Sequence, residues 1–355
     1  MDFPIRKDLL ISTLPPRACG IAAYAGQLIE SERRQGREFS TISLETDFDP
    51  GADLSLNPAS RPDWTGLFRF LFAHRWRRVV LNYTPYFFRI DTGRPGARFA
   101  LFKLVLFFRI CRWRAEEFEI IIHEHAVPGT RNRLERAFDA RLLALADRLV
   151  FHTDQDRKAF LDLFRPNERT EIVIRDHGLH FRKNYLSDKP AARAELGVAE
   201  DALLFVCAGF IQPNKGFDCA VNAFAAAENL HREGPAALLR IVGDCREANH
   251  ENVTCKRELL ALAESSGADV AVVADFVSDE EFDRWICASD YVVLPYRQIW
   301  SSGVAARARL YEKPVLARSL PGLRDQLGEN GALWFRTDEE LGSIMEDVIG
   351  HAAQS

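Results

Sequence analysis

One local pattern, written twice in the C-terminal half, most constrains the fold: a strand-like run, a short polar turn of small residues, then a helix-length segment. LLFVCAGFIQPNKGFDCAVNAF covers residues 203–224, and SDYVVLPYRQIWSSGVAARARLYEKPVLA covers 289–317. In the first, Leu203–Ala208 reads as a buried strand, Gly209–Gly216 as a turn with one cation, Lys215, and Phe217 as the start of a helix. In the second, the strand Tyr291–Leu294 runs on to Ser301, Ser302 and Gly303, which open a helix. The first N–H groups of a helix lack intrahelical partners and can hold an anion, so both turns suit a diphosphate. Together they predict a nucleotide-dependent enzyme.

The same alternation runs through the chain. In the first half the strand-like runs are Leu9–Ser12, Phe39–Leu44, Val79–Tyr83, Ile120–His123, Leu149–His152 and Ile172–Ile174. In the second they are Leu203–Ala208, Leu238–Val242, Val270–Ala274, Tyr291–Leu294, Val315–Ala317 and Leu333–Phe335. Such runs separated by helix-length segments are the signature of parallel sheets with crossover helices. At 355 residues the chain exceeds one comfortable core. The expectation is therefore α/β, with two Rossmann-like doubly wound parallel-sheet domains over 1–183 and 184–337 and a last helix in 338–355. FRKNYLSDKPAARAELG, polar and with a proline, reads as the linker and a lead-in helix. Ser278 with Glu281, and Thr337 with Glu340, mark helix starts as capping boxes.

Composition narrows the setting. A chain 47% hydrophobic and 27% charged is of the soluble globular kind. Its seven cysteines are odd in number and form no CxxC pair, which argues against a disulfide framework or a zinc site and for a reduced, cytoplasmic setting. The N-terminus MDFPIRKDLLIS lacks the longer apolar stretch of a secretory signal, and no stretch reaches the ~18 uncharged apolar residues of a membrane span. Residues 1–190 carry 31 Lys+Arg against 25 Asp+Glu, whereas the remainder carries 15 against 26. A basic half meets anionic lipid or nucleic acid, or is simply a solvated surface.

Several residues stand where chemistry is expected. Ligands of doubly wound sheets sit at the carboxyl ends of the strands. Gly20, which opens a helix after the first strand, is placed for backbone approach to a phosphate or sugar, although it lacks GxGxxG spacing. His123, Glu124 and His125 end another strand, where a histidine and a carboxylate can orient hydroxyls or transfer a proton. A metal site there is disfavoured, because neighbours on a strand point to opposite faces and HEH lacks the HExxH spacing. His177 before Gly178 is a weaker case of the same kind. Asp47-Phe48-Asp49 superficially matches a metal-holding DxD but lies in a loop, TDFDPGADLS, and reads as solvated carboxylates. Lys215 carries the most weight: without a metal, some cation must stabilise a departing diphosphate.

Two segments are both aromatic and basic: WTGLFRFLFAHRWRR (64–78) and GARFALFKLVLFFRICRWR. In the second, Arg98, Lys103, Arg109, Arg112 and Arg114 do not collect on one helical face, which favours a largely buried core helix. The clustering together with the basic first half motivates a second expectation, peripheral association with an anionic membrane at its inner face.

Taken together, the chain resembles the retaining, GT-B-fold glycosyltransferases of family 4. The resemblance rests on PPRxCGIA, NYTPYFF (82–88), the strand ending in HEH, His177-Gly178, GFIxPNKGFD, RIVGD (240–244), ADFVSDEEF (274–282) and SSGVAARARLYEKPV. It implies two Rossmann-like domains facing a central cleft, the first binding the acceptor and the second the nucleotide-sugar donor, with the last helix crossing back to the first domain. It also implies that Lys215 contacts the donor diphosphate, that Gly209 lies in the same turn, and that Ser301, Ser302 and Gly303 cap the diphosphate with helix N–H groups. Gly20 would lie near the donor phosphate, His123 beside the transferred sugar, and Phe276 and Val277 at the base. No metal or other cofactor is implied, and no nucleic acid.

The chain departs from the family at two places. The paired glutamates fall at Ile299 and Arg307, and the arginine a few residues before the lysine is replaced by Phe210. Arg307 is expected to compensate by reaching the phosphates. The leading expectation is a metal-independent glycosyltransferase that takes its sugar from a nucleotide donor to a carbohydrate or lipid-linked acceptor. Two others stand beside it: a nucleotide-sugar 2-epimerase, with Glu124 its acid/base candidate, and a catalytically silent binding subunit.

Overall fold

The structure, a computed structural model, describes residues 7–352 apart from 18, 45–51, 57–61, 89–95, 125–130, 231–235, 246–249 and 275–276. It divides into two units, Met1–His180 and Phe181–Ser355. In chain order the first contains β1 (Asp8–Ser12), α1 (Gly20–Arg34), β2 (Phe39–Ser43), β3 (Leu54–Ser55), α2 (Trp64–Ala73) and β4 (Trp76–Tyr83), followed by α3 (Ala97–Arg114), β5 (Ala115–Ile122), α4 (Arg133–Leu143), β6 (Arg148–Phe151), α5 (Asp154–Leu163) and β7 (Glu171–Ile174). The second contains α6 (Lys189–Leu196), β8 (Leu203–Ala208), α7 (Phe217–Leu230), β9 (Ala237–Val242), α8 (His250–Ser265), β10 (Val270–Val273) and α9 (Asp279–Ala288), then β11 (Tyr291–Leu294), α10 (Gly303–Leu310), β12 (Val315–Arg318), α11 (Pro321–Leu327), β13 (Leu333–Phe335) and α12 (Asp338–Ala352).

Each unit is built on one parallel sheet. The first has seven strands in the order β3-β2-β1-β4-β5-β6-β7, the second six in the order β10-β9-β8-β11-β12-β13. In the first sheet Leu9 and Ile11, Val79 and Leu81, Phe118 and Ile120, and Leu149 and Phe151 form one buried cluster. Their neighbours on the opposite face, Leu10, Val80, Ile121 and Val150, are also fully buried. Helices thus cover both faces, which is why the strands read as continuous apolar runs. Each such side chain contributes roughly 1.5–3 kcal/mol by leaving water.

The expected runs all appear as strands, and the structure adds β3. It pairs only Leu54 and Ser55 with the edge of β2, too short to show a period of two. Ser278 accepts from the Glu281 backbone N–H at the start of α9, and Thr337 accepts from that of Glu340 at the start of α12. The last helix buries Leu341, Met345 and Ile349 in the core of the second unit, where α12 packs on α7.

In both sheets the strand order reverses at one place, between β1 and β4 in the first and between β8 and β11 in the second. The loops leaving those neighbours go to opposite sides and open a crevice at the carboxyl ends, the usual ligand position of an open α/β sheet.

Candidate functional site

In the second unit the two strand–turn–helix segments are neighbours, because β8 pairs with β11 through Phe205–Tyr291 and Val206–Val292. Their turns are bonded to each other. The Arg297 backbone N–H donates to the Asn214 carbonyl at 2.8 Å, and the Arg297 guanidinium grips Asp218 (Nη1 to Oδ1 2.8 Å) and the Pro213 carbonyl (2.9 Å). Gly216 has φ +62°, and a Cβ there would lie 2.3 Å from the Pro295 carbonyl oxygen. A side chain at this position would push the turns apart. From the other side, a Cβ on Gly243 (φ +140°) would lie 2.2 Å from the Gly209 oxygen, so the glycine of RIVGD lets the β9 loop touch the β8 loop.

Those contacts converge the expected anion-binding groups. The Lys215 ammonium sits 4.1 Å from the centroid of the Tyr296 ring, a cation–π contact that fixes a flexible side chain. The Tyr296 hydroxyl lies 3.4 Å from Ser302 Oγ. Ser302 is the N-cap of α10 and accepts from the Ala305 N–H at 3.1 Å. Gln326 holds the same residue from α11: its Oε1 accepts from the Ser302 N–H at 2.7 Å and its Nε2 donates to the Ser302 carbonyl at 3.3 Å. Gly303 and Val304 follow as the first turn, whose N–H groups have no intrahelical acceptor. Val304 Cγ2 would stand 3.5 Å from a Cβ on Gly209, so Gly209, Lys215, Ser302 and Gly303 share one corner. Ser301 beside them is half-buried, and Val277 packs partly against the core. Phe276 lies outside the described residues.

Arg307 corrects an expectation. Its guanidinium is buried and ion-paired to Asp283, with Asp279 3.2 Å away, and it lies over the Phe181 and Phe282 rings. Asp283, fully buried, also accepts from the Asn184 N–H at 2.7 Å and the Tyr311 hydroxyl at 3.0 Å. Burial pushes the Asp283 carboxyl up, against the pull of Arg307. A guanidinium held this way ties α10 to α9 and is not available to a phosphate. Ile299, at the other glutamate position, packs against the core.

The first unit builds a different corner at its β1/β4 reversal. Asn82, near the end of β4 and fully buried, donates from Nδ2 to Ser12 Oγ (2.9 Å) and faces His123 Nε2 with Oδ1 (3.0 Å). An amide oxygen accepts, so His123 carries its proton on Nε2. Around it stand His152, with ring centroids 5.1 Å apart, and His177, 4.4 Å from His152. Tyr24 of α1 meets His123, His152 and His177 edge-on at 4.9, 5.2 and 5.3 Å. Burial holds His123 and His177 well below the ordinary histidine range and lowers His152 to about 4. All three are neutral at pH 7.

His152 Nδ1 bonds the Arg175 carbonyl at 3.1 Å and therefore carries the proton, leaving Nε2 buried without a hydrogen-bond partner among the described residues. Beneath the cluster Glu119 is neutralised by Arg175 through bonds of 2.8 and 2.9 Å, which hold its carboxyl down although burial opposes them. Glu124 is half-buried and accepts from Thr84 Oγ1 at 3.0 Å. Gly20 is exposed at the first position of α1, no atom of the described residues lies within 4 Å of a Cβ built there, and its φ is not positive. Neither the turn nor packing within the unit requires a glycine at that point.

Sequence reasoning missed Asn82, His152, Tyr24, Tyr296 and Gln326. The first two had a signal, since each is a polar residue at or just past the end of a buried strand. Tyr24, Tyr296 and Gln326 had none, because only folding shows which buried polar atoms meet. Among the described residues, no group of three or more His, Cys, Asp or Glu side chains is arranged to hold a metal ion; Asp47 and Asp49 lie outside them.

Comparison with known proteins adds three findings. Residues 202–350 match a family model described as glycosyl transferases group 1. A D-inositol 3-phosphate glycosyltransferase of Thermobispora bispora is 30% identical over 200 residues, covering 55% of this chain and 46% of that protein. Another from a Nocardioides species is 32% identical over 197 residues, covering 52% and 41%. The chain thus spans less than half the length of these two relatives. Among solved structures, sucrose-phosphate synthase from Thermosynechococcus elongatus superposes with a TM-score of 0.69 at 16% identity, covering 98% of this chain and 91% of that one. Anabaena Alr3699/HepE in complex with UDP and glucose gives 0.70 at 17%, covering 98% and 92%. At such identities the likeness carries the fold alone, the two-domain GT-B architecture.

Proposed function

We propose that this chain, whose residues 202–350 match the glycosyl transferases group 1 family model, moves a sugar from a nucleotide-sugar donor to a carbohydrate or lipid-linked acceptor. The observation that carries the reading is the corner at the β8/β11 reversal, where Lys215, Gly209 and the Ser302–Gly303 helix start converge. Relatives named glycosyltransferases, and a structural neighbour holding UDP and glucose, support it. When the bond between the anomeric carbon and the diphosphate oxygen breaks, negative charge grows on that oxygen. Lys215 and the first N–H groups of α10 are preset to receive it, which costs no reorganisation at the moment of reaction.

The rest of the reading follows the same logic. No metal is needed where a cation and a helix start share the diphosphate, and retention at the anomeric carbon follows from the resemblance to family 4. The first unit takes the acceptor, with His123 and Glu124 orienting hydroxyls and Gly20 leaving room for a ligand at the start of α1. Ile299 and the buried Arg307, in place of the paired glutamates, favour a second reading in which the chain binds a nucleotide-sugar without turning it over.

A thermal-shift panel of UDP-, GDP-, ADP- and dTDP-sugars, paired with an assay for released nucleoside diphosphate, tests both. One base should raise the midpoint, since a donor at a hundred times its Kd stabilises by about 2.7 kcal/mol, and product release should persist in EDTA. Binding without release selects the silent reading. If no donor shifts the midpoint, the whole proposal fails.

A further inference from the structure

The structure assigns the outer face of α2 and α3 as a docking surface for an anionic lipid bilayer. α3 is apolar on both sides but buried on one. Leu104, Phe107, Phe108 and Cys111 enter the core, whereas Phe99, Phe102 and Trp113 on the opposite side are 61%, 61% and 66% exposed, with Leu106 between them. At 100° per residue these four fall in one sector roughly 60° wide, diametrically opposite the buried group. A helix apolar all round is ordinarily covered all round. The larger of the two expectations for this segment, a core helix, therefore holds for one face only.

The cations sort themselves around that face. Arg112 pairs with Asp147 at 2.7 Å, and Arg114 donates to the His74 and Phe72 carbonyls at 2.8 and 2.9 Å, so these two belong to the fold. Arg98 and Arg109 flank the aromatic stripe on one margin and are exposed, with no ion pair among the described residues. Lys103 flanks it on the other margin, over the Phe99 ring at 4.5 Å and the Trp64 ring at 5.7 Å. α2 extends the patch through exposed Phe72, which meets Trp113 edge-on at 6.2 Å, and through exposed Arg69, with exposed Arg75 just past its end.

Residues 64–78 and 96–114 contain no Asp or Glu. Exposed aromatics bordered by cations, with no acid among them, complement a surface that is apolar within and negative at its headgroups. A second copy is the poorer occupant, because a self-complementary pairing of this face sets cation against cation. No helix among the described residues is long and apolar enough to cross a membrane; the surface lies on the bilayer.

The test is vesicle flotation of the intact chain, which needs no turnover and is independent of the donor reading. The protein should float with vesicles of phosphatidylglycerol and phosphatidylcholine, not with phosphatidylcholine alone, and should be released at about 0.5 M salt as screening shortens the reach of the charges. Phe102→Ser with Trp113→Ser, and separately Arg98→Gln with Arg109→Gln, should each weaken partitioning roughly tenfold or more, with thermal midpoints unchanged because the replaced side chains are exposed. Equal flotation on neutral and anionic vesicles, or flotation untouched by both variant pairs, overturns the assignment. So does a dimer in light scattering that the Phe102/Trp113 pair disperses while no vesicle binds.

Discussion

The two strand-order reversals of this molecule share a topology and differ in charge. At β8/β11 the groups facing the crevice are positive: an ammonium held over an aromatic ring and the free N–H groups of a helix. At β1/β4 the ring and amide groups are neutral: three histidines stripped of their protons by burial, an amide and a tyrosine, beside the half-buried Glu124 carboxylate and over a Glu119–Arg175 pair that cancels its own charge. On the proposed function, the same backbone plan would serve an anion at one reversal and hydrogen-bonding groups such as sugar hydroxyls at the other. Side chains and a helix start, not the sheets, set that division, because a sheet carries little net dipole of its own.

Three changes break or sharpen the contrast, from the largest effect to the smallest. Arg307→Ala leaves Asp283 buried without its counter-charge and should cost about 3–5 kcal/mol of stability, seen as a lower denaturation midpoint. Donor affinity of the fraction still folded should stay as it was, and a selective loss of donor binding at unchanged stability would return Arg307 to the anion site. Lys215→Ala should cost about 2.7–4 kcal/mol in the barrier, or 10²–10³ in turnover, with the thermal midpoint held. Turnover equal to the parent would remove Lys215 from the diphosphate site.

The smallest effect probes the neutral corner. The folded-state values of His123, His152 and His177 lie below the ordinary 6.5, that of His152 near 4. As the pH falls, the unfolded chain therefore takes up protons first. Stability from these groups is complete above about pH 6.5 and is lost as the pH falls below it, for His152 down to about 4 at about 1.4 kcal/mol per pH unit. Thermal midpoints of the parent and His152→Gln at pH 7.5, 6.0 and 5.0 check the sign: the variant should lose less on acidification. Parallel curves would mean that His152 takes up its proton in the folded chain as readily as in the unfolded one.

Much of this was legible in the chain. Continuous apolar runs located the strands, since buried parallel strands must be apolar on both sides, and Lys215, Ser302 and Gly303 stood out because glycines and small polar residues punctuate a strand-to-helix turn. Arg307 could not be read. Its position in the family pattern placed a cation near the phosphates, yet it serves Asp283, which lies on another helix and gave no signal of being buried. The histidine corner was half legible: His123, His177, His152 and Asn82 carried a strand-end signal, while the pairing by which the Asn82 amide orients His123 exists only once β4 and β5 lie side by side.

By itself the sequence determined the two α/β sheets, the small-residue strand-to-helix turns and the basic, aromatic character of α2 and α3, because these depend on local pattern and residue type. The tertiary structure decided which cation stands at the β8/β11 corner and which is locked inside, which histidines are neutral, and which side of α3 remains uncovered. Those outcomes depend on distance and burial among residues far apart in the chain, and both electrostatic attraction and desolvation change steeply over a few ångströms.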